Sequence, residues 1–142
     1  MAKKKSKKIL VIDDDPNIVR LLDKWLVNAG CEVLGAYNGR VGLEMARAKS
    51  PDLILLDLML PDIGGLEVAK KLRAKSKTEN IPVIFMTVTM GVEIDKGNET
   101  MEVEGWLYRV FAKPLHRSKI LSEIRKSVNR RVHGNKLIIR GS

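Results

Sequence analysis

Three short runs of apolar residues constrain the fold of this 142-residue chain more than any other feature. They lie at residues 9–12 (ILVI), 53–56 (LILL) and 83–86 (VIFM), and apolar and polar residues alternate in none of them. A strand that is apolar at every position has to be buried on both faces, which is typical of a parallel sheet covered by helices. The three runs therefore predict the central strands of such a sheet.

Helical patterns separate these runs. The first begins at Asp15 and Pro16, a capping carboxylate followed by proline at the first helical position, and its apolar face continues to Gly30. Further helices are expected at about 39–48, 66–74 and 117–132, and weaker strands at 32–36 and 107–112. Five strands that alternate with helices predict a doubly wound α/β fold, with one domain and a five-stranded parallel sheet in (βα)5 order.

The positive charge of the chain is concentrated at its two ends. Residues 1–8 and 117–142 hold 13 of the 26 basic residues and one acid, so together they carry a charge of +12. Residues 9–116 carry −3, which brings the net charge of the chain to +9. The simplest interpretation is one folded domain over 9–132 between flexible tails at 1–8 and 133–142. The alternative is a non-specific contact of the ends with nucleic acid, the ribosome or an anionic membrane.

Composition argues against several other classes of protein. The single cysteine, Cys31, excludes an intrachain disulfide and a multi-cysteine metal site. No apolar run approaches the roughly 18 residues that a membrane-spanning helix needs, and the lysine-rich start lacks the apolar segment of a signal peptide. We therefore expect a cytoplasmic protein with no membrane span and no DNA-binding domain of its own.

Candidate functional residues stand where the predicted strands end. The first strand is followed by Asp13, Asp14 and Asp15, and the third, fourth and fifth lead to Asp57, Thr87 and Lys113. In an open α/β sheet, ligands bind outside the carboxyl ends of the strands. A single acid after a strand is commonly only a helix cap, and we interpret Asp15 in this way. The occurrence of such residues at the ends of four predicted strands is better explained by one shared site.

The predicted chemistry of this site follows from its carboxylates. Carboxylates that lie close together repel one another unless a cation offsets their charge. The motif contains no histidine or cysteine, so an all-oxygen ligand set favours Mg²⁺, or alternatively Mn²⁺, over zinc. Magnesium commonly works beside a phosphoryl group, and a carboxylate can itself accept that group. Asp57, which stands alone at the end of the central strand, is the expected nucleophile.

Four segments together resemble the receiver domain of bacterial two-component response regulators. They are ILVIDDDP at 9–16, DLMLPDIGG at 57–65, PVIFMT at 82–87 and KP at 113–114. The resemblance covers about residues 8–132 and implies a flavodoxin-like fold, similar to the stand-alone chemotaxis regulators. It also implies that a histidine kinase or phosphotransfer protein phosphorylates Asp57, and that the resulting switch controls a separate, unknown target protein as a monomer or a phosphorylation-linked homodimer.

The resemblance also implies roles for single residues. Asp14 binds the metal directly, Asp13 binds it mainly through water or as a second ligand, and Asp57 and the backbone carbonyl of Met59 complete the ligand set. Such a protein is not an enzyme in the turnover sense, because its site catalyses only its own phosphorylation and dephosphorylation.

The remaining implied roles concern the phosphoryl group. Thr87 hydrogen-bonds the phosphoryl oxygen, Lys113 pairs with it, and Pro114 follows a cis peptide bond. Thr89 is a rival to Thr87 but lies two residues past the strand end.

Three features depart from the family pattern. The position three residues before the lysine, commonly aromatic, is Val110, and Tyr108 has the same strand parity at a different depth. The segment 88–105 is longer than usual and contains the poor helix formers Gly91, Gly97 and Asn98, so we expect it to be irregular or mobile where a fourth helix is usual. Val88 is bulkier than the small residue often found after the threonine, which predicts narrower access to the phosphate and a changed phosphate lifetime.

Three alternative functions are compatible with parts of this sequence. One is a phosphorylation-independent interaction module of the same fold, which the altered segment would permit. A second is a haloacid-dehalogenase-type phosphohydrolase, since Asp13 and Asp15 have its D-x-D spacing, although Asn17 departs from that motif and Asp57 would have no role. The third is a nucleic-acid-binding adaptor that uses the basic ends.

Overall fold

The computed structural model describes residues 6–88 and 100–128. In this part of the chain the strands are β1 (Lys8–Ile12), β2 (Glu32–Ala36), β3 (Leu53–Asp57), β4 (Val83–Thr87), β5 (Thr100–Val103) and β6 (Trp106–Ala112). The helices are α1 (Pro16–Asn28), α2 (Gly39–Lys49), α3 (Gly65–Arg73) and α4 (Arg117–Val128). The strands form one sheet in the order β2-β1-β3-β4-β6-β5, in which only the β5–β6 pair is antiparallel.

The three apolar runs form the centre of this sheet, as their composition predicts. Every position of β3 and β4 is buried. Alternate side chains of each strand enter two different cores, so that Leu10 and Ile12 pack in the core on the side of α2 and α3, and Ile9 and Val11 in the core on the side of α1 and α4. The doubly wound, flavodoxin-like fold class is confirmed.

Helix α1 begins where the sequence places it. The side chain of Asp15 accepts a hydrogen bond from the backbone N–H of Asn17 at 2.9 Å, and Pro16 follows as the first helical residue. This confirms that Asp15 caps the helix. After the helix, Gly30 turns the chain toward β2 with a φ of 89°, a conformation that glycine adopts without steric cost.

The prediction of a five-stranded sheet was wrong, because the sheet has six strands. Within the segment predicted to be irregular, residues 100–103 form β5, which pairs with β6 as a hairpin. Glu104 and Gly105 form the two-residue turn with φ of 50° and 82°, which suits the right-handed twist of a hairpin. Met101 and Val103 alternate with Glu102 and pack against the core on the α2 and α3 side. Residues 89–99 of the expected irregular segment lie outside the described residues.

Two boundaries also differ from expectation. Strand β1 begins at Lys8, which the sequence analysis assigned to the N-terminal tail, and its backbone N–H donates to the Asp52 carboxylate at 2.8 Å. Helix α4 is described as far as Val128, and residues 129–132, expected to continue it, lie outside the described residues. No helix within the described ranges is both long enough and apolar enough to cross a bilayer.

Candidate functional site

The parallel strands bring their carboxyl ends to one edge of the sheet. Asp13 directly follows β1, Asp57 and Thr87 are the last residues of β3 and β4, and Lys113 directly follows β6. Because β1, β3, β4 and β6 are neighbours in the sheet, residues that lie 100 positions apart in the chain come into contact here. This is the edge at which open α/β sheets bind ligands.

Three carboxylates form the acidic part of the site. One oxygen from each of Asp13, Asp14 and Asp57 lies within 4.8 Å of the others. Asp13 is fully buried and Asp57 is nearly so, while Asp14 is exposed to solvent. Hard divalent cations such as Mg²⁺ prefer such oxygen ligands, so the donor set fits the metal expected from the sequence.

Lys113 lies between two of these carboxylates. Its Nζ donates to Oδ2 of Asp13 at 2.7 Å and to Oδ2 of Asp57 at 3.2 Å. The lysine side chain is only 15% exposed, so both ion pairs are largely shielded from water. The Lys113 backbone N–H also donates to the carbonyl of Thr87 at 2.8 Å, and the following bond to Pro114 is cis, as the resemblance implied.

Burial and charge change the pKa values of this cluster. Burial raises the pKa of the Asp13 carboxyl, and the nearby Asp57 charge adds to this, although hydrogen bonds from Lys113 and the Asp15 N–H oppose it. Burial alone would lower the pKa of Lys113, but its hydrogen bond and charge interaction with Asp13, together with Asp57, raise it above its ordinary value. The amine therefore remains a cation at neutral pH and offsets the negative charge of the two carboxylates.

Asp57 is held from two sides. Its Oδ1 accepts the backbone N–H of Met59 at 3.0 Å, while its Oδ2 faces Lys113. Helix α3 begins at Gly65, whose backbone lies close against Asp57. A Cβ atom at this position would be only 2.3 Å from the carbonyl oxygen of Asp57. Only glycine allows this close approach, which explains in physical terms the glycine found at the end of the DLMLPDIGG motif.

Thr87 is fully buried at the end of β4. Its hydroxyl donates to the carbonyl of Val88 at 2.9 Å and makes no other side-chain hydrogen bond within the described residues. Val88, the next residue in the chain, is 55% exposed. That its bulk narrows access to the phosphate stays a prediction. Thr89, the rival to Thr87, lies outside the described residues.

Tyr108 is an aromatic residue of β6 that has the same strand parity as Val110. Both side chains are buried in the core on the α2 and α3 side. The Tyr108 ring packs edge-on against Phe85 with 4.9 Å between centroids, and the guanidinium of Arg73 lies 5.6 Å from its centroid. Tyr108 therefore packs as a core residue in this structure.

Asp62 is a structural residue whose contacts sequence reasoning missed. It lies in the loop after Asp57, and its two carboxylate oxygens accept the backbone N–H groups of Gly39 and Arg40, at 2.8 and 2.9 Å, in the first turn of α2. Helix starts carry unpaired N–H groups that favour an anion. The loop that follows Asp57 and contains Met59 is thus fixed to the start of α2, 23 residues before Asp62 in the chain.

These hydrogen bonds predict a pH-dependent contribution of Asp62 to stability. Desolvation acts to raise the pKa of Asp62, but hydrogen bonds from Gly39, Arg40 and neighbouring N–H groups lower it from 3.8 to about 2. An acid with a lowered pKa in the folded state stabilises fully above its unfolded pKa and loses this effect as the pH falls through the folded value. Asp62→Asn should therefore lower the urea midpoint near neutral pH, by an amount that shrinks as the pH falls from about 4 toward about 2.

The matching control is Asp23→Asn on the exposed face of α1, which makes the same change in net charge without contacting α2. Urea denaturation of the parent chain and both variants across this pH range measures the effect. A loss in Asp62→Asn that stays constant with pH would contradict the assignment.

Comparison with known proteins identifies response regulators as relatives of this chain. A family model described as the response regulator receiver domain matches residues 9–125. The response regulator ArlR of Staphylococcus saprophyticus is 34% identical over 137 residues, which cover 94% of this chain and 58% of ArlR. The transcriptional regulatory protein SrrA of Staphylococcus aureus is 41% identical over 101 residues, which cover 71% of this chain and 38% of SrrA. The chain thus spans only part of the length of these curated relatives.

Solved structures agree with this result. The chemotaxis response regulator CheY4 of Vibrio cholerae has a TM-score of 0.74 and 26% identity, with coverage of 86% of this chain and 98% of CheY4. The receiver domain of the sensor histidine kinase PA1611 from Pseudomonas aeruginosa was solved with a magnesium ion coordinated in its active-site cleft. It has a TM-score of 0.73 and 21% identity, with coverage of 88% of this chain and 99% of that domain, and at this identity the likeness shows the fold alone.

Proposed function

Because this chain belongs to the response regulator receiver family of two-component signalling modules, we propose that Asp57 accepts a phosphoryl group from a histidine kinase or phosphotransfer protein. The phosphorylated form would then act on a separate partner protein. The observation that carries the proposal is the contact of Lys113 with Asp13 and Asp57, at 2.7 and 3.2 Å, beside a third carboxylate. Capping alone does not explain a buried lysine that joins the ends of three strands.

The proposed transfer uses Asp57 as the nucleophile. One carboxylate oxygen forms a bond to phosphorus while the bond from phosphorus to the donor nitrogen breaks, and the nitrogen keeps the electron pair. The backbone N–H of Met59 and the ammonium of Lys113 orient the carboxylate before reaction. Lys113 then offsets negative charge on the transferred phosphoryl oxygens.

The acidic residues have a second role in this proposal. Asp13, Asp14, Asp57 and the backbone carbonyl of Met59 would hold a Mg²⁺ ion, or alternatively Mn²⁺. When bound, this ion supplies positive charge that neutralises the phosphoryl oxygens during transfer. Without that charge, the close carboxylates repel the incoming anion.

The proposed switch begins at Thr87. Its hydroxyl is bound to the carbonyl of Val88 in this structure and would turn to donate to a phosphoryl oxygen. Phosphorylation adds a dianion at Asp57, and Lys113 and Thr87 compensate it. The ends of β4 and β6 are joined through the Lys113 N–H, so this rearrangement would shift the population of the adjacent loops. The protein would turn over only its own phosphate.

The test is chemical mapping of the phosphorylated residue. The chain is incubated with acetyl phosphate and magnesium, reduced with borohydride to convert an acyl phosphate to a stable alcohol, and digested for peptide mass analysis. We expect one reduced residue, at Asp57, and labelling that requires magnesium. Reduction at another carboxylate, or no labelling under conditions that label a known receiver, would contradict the proposal.

A further inference from the structure

A groove of about 590 Å³ lies between α2 and α3, outside the phosphorylation site. Its α2 wall is formed by residues at helical spacing over two turns, and its other wall by the end of α3 and the segment that follows it. Apolar side chains line its interior: Leu43, Ile63, Leu72 and Ala74. An apolar groove between two helices is a common site for an amphipathic helix of a partner.

Four cations surround this apolar interior. They are Arg40, Arg47, Lys71 and Lys75, all exposed, and Glu44 is the single acid that lines the groove. None of the four forms an ion pair within residues 6–88 and 100–128. The surrounding body, residues 9–116, carries −3, so the general basicity of the chain does not explain this cluster.

We propose that this groove docks an acidic amphipathic helix of a partner protein. Its apolar residues would contact the partly buried Leu43 and Ile63, and its carboxylates would lie against Arg47, Lys71 and Lys75. Arg40 and Arg47 are two helical turns apart, about 10 Å along the axis of α2. At this spacing, both arginines could pair with carboxylates on different turns of an incoming helix. This inference does not depend on phosphorylation of Asp57.

Other occupants fit the chemistry less well. The two ends of this chain are basic, so the cations of the groove would repel them. Nucleic acid also carries negative charge, but no aromatic side chain lines the groove on which a base could stack. A membrane surface would meet the exposed cations but not the recessed apolar residues. The acidic helix is the occupant that uses both features.

The probe is a fluorescent helical peptide with leucines on one face and glutamates on the other. Fluorescence anisotropy measures its binding to the full chain, and a peptide with lysine at every glutamate position is the charge control. We expect saturable binding of the glutamate peptide, weakened by salt, and at least about tenfold weaker binding of the lysine peptide, a difference of about 1.4 kcal/mol.

Two variants locate the binding site. Lys71→Glu combined with Lys75→Glu reverses two charges of the groove, and the matched control reverses Arg20 and Lys24, which have the same spacing on the exposed face of α1. The groove variant should bind the peptide about tenfold more weakly, while the control should stay within about twofold. Leu43→Gln tests the apolar contact separately and should also weaken binding.

Several results would overturn this assignment. They are the absence of saturable binding, equal binding of the two peptides, or equal losses in the groove and control variants. Anionic vesicles and a DNA duplex are tested in parallel. If the peptide does not bind, but vesicles or DNA bind and lose this binding when Lys71 and Lys75 are reversed, the groove takes a different partner from the one proposed. Circular dichroism of each variant excludes unfolding as the cause of a loss.

Discussion

Replacement of Asp57 by asparagine is expected to abolish the uptake of acid-labile phosphate while the fold is retained. The amide oxygen is a far weaker nucleophile than a carboxylate oxygen and cannot form an acyl phosphate without losing ammonia. The amide can still accept the N–H of Met59. Lys113 keeps its shorter contact with Asp13, and the repulsion between Asp13 and Asp57 disappears. We therefore expect the free energy of unfolding to change by no more than about 1 kcal/mol.

The matched control for this change is Asp15→Asn. It makes the same substitution two residues from Asp13, and asparagine caps a helix as well as aspartate does. Labelling with a radioactive small phosphodonor and magnesium, followed by an acid-lability test, compares the parent chain with both variants. The control should label like the parent. If Asp57→Asn retains the label of the parent, Asp57 is not the phosphoryl acceptor.

The central sheet could be predicted because its signal is local. Each run at 9–12, 53–56 and 83–86 is apolar at consecutive positions, and only a strand with helices on both faces buries all of them. The site could be predicted for a related reason. Once the strands are placed and parallel, the residue that ends each of them must lie at one edge, wherever it stands in the chain.

The features that sequence analysis missed depend on contacts between two segments and not on the pattern within either one. The pairing of Asp62 with the start of α2 is invisible in a local pattern, because an aspartate in a loop is common for many reasons. Strand β5 has only four residues, and its alternation of Met101, Glu102 and Val103 is too short to outweigh the expectation of an irregular segment. Pairing with β6 supplies the stabilisation that the local sequence lacks.

The groove between α2 and α3 illustrates the same limit. Arg40 and Arg47 belong to α2, whereas Lys71 and Lys75 belong to a basic stretch at residues 70–77 that covers the end of α3 and the segment after it. Packing on the same face of the sheet brings the two helices together. The fold thus adds the two arginines of α2 to the basic stretch at 70–77, and neither segment alone predicts the combined cluster.

Replacement of Lys113 by alanine is expected to destabilise the protein by about 3 kcal/mol when a chelator removes divalent ions. The side chains of Asp13 and Asp57 are 0% and 6% exposed, and their ion pairs with Lys113 are the only ones they form within the described residues. Removal of one partner of a buried ion pair leaves uncompensated charge, which typically costs 3–5 kcal/mol. Urea denaturation measures the loss, and Lys119→Ala, on the exposed face of α4, should change stability by less than about 0.5 kcal/mol.

The cause of this loss can be separated from a simple loss of packing. If repulsion between carboxylates is responsible, excess magnesium should restore part of the stability of Lys113→Ala, because a cation held by the same carboxylates offsets their charge. The addition of Asp57→Asn should also restore part of it, so that the two substitutions together cost less than the sum of their separate effects. Strictly additive losses with no response to magnesium would mean that Lys113 stabilises the fold through its aliphatic stem, and its proposed role in charge compensation would fail.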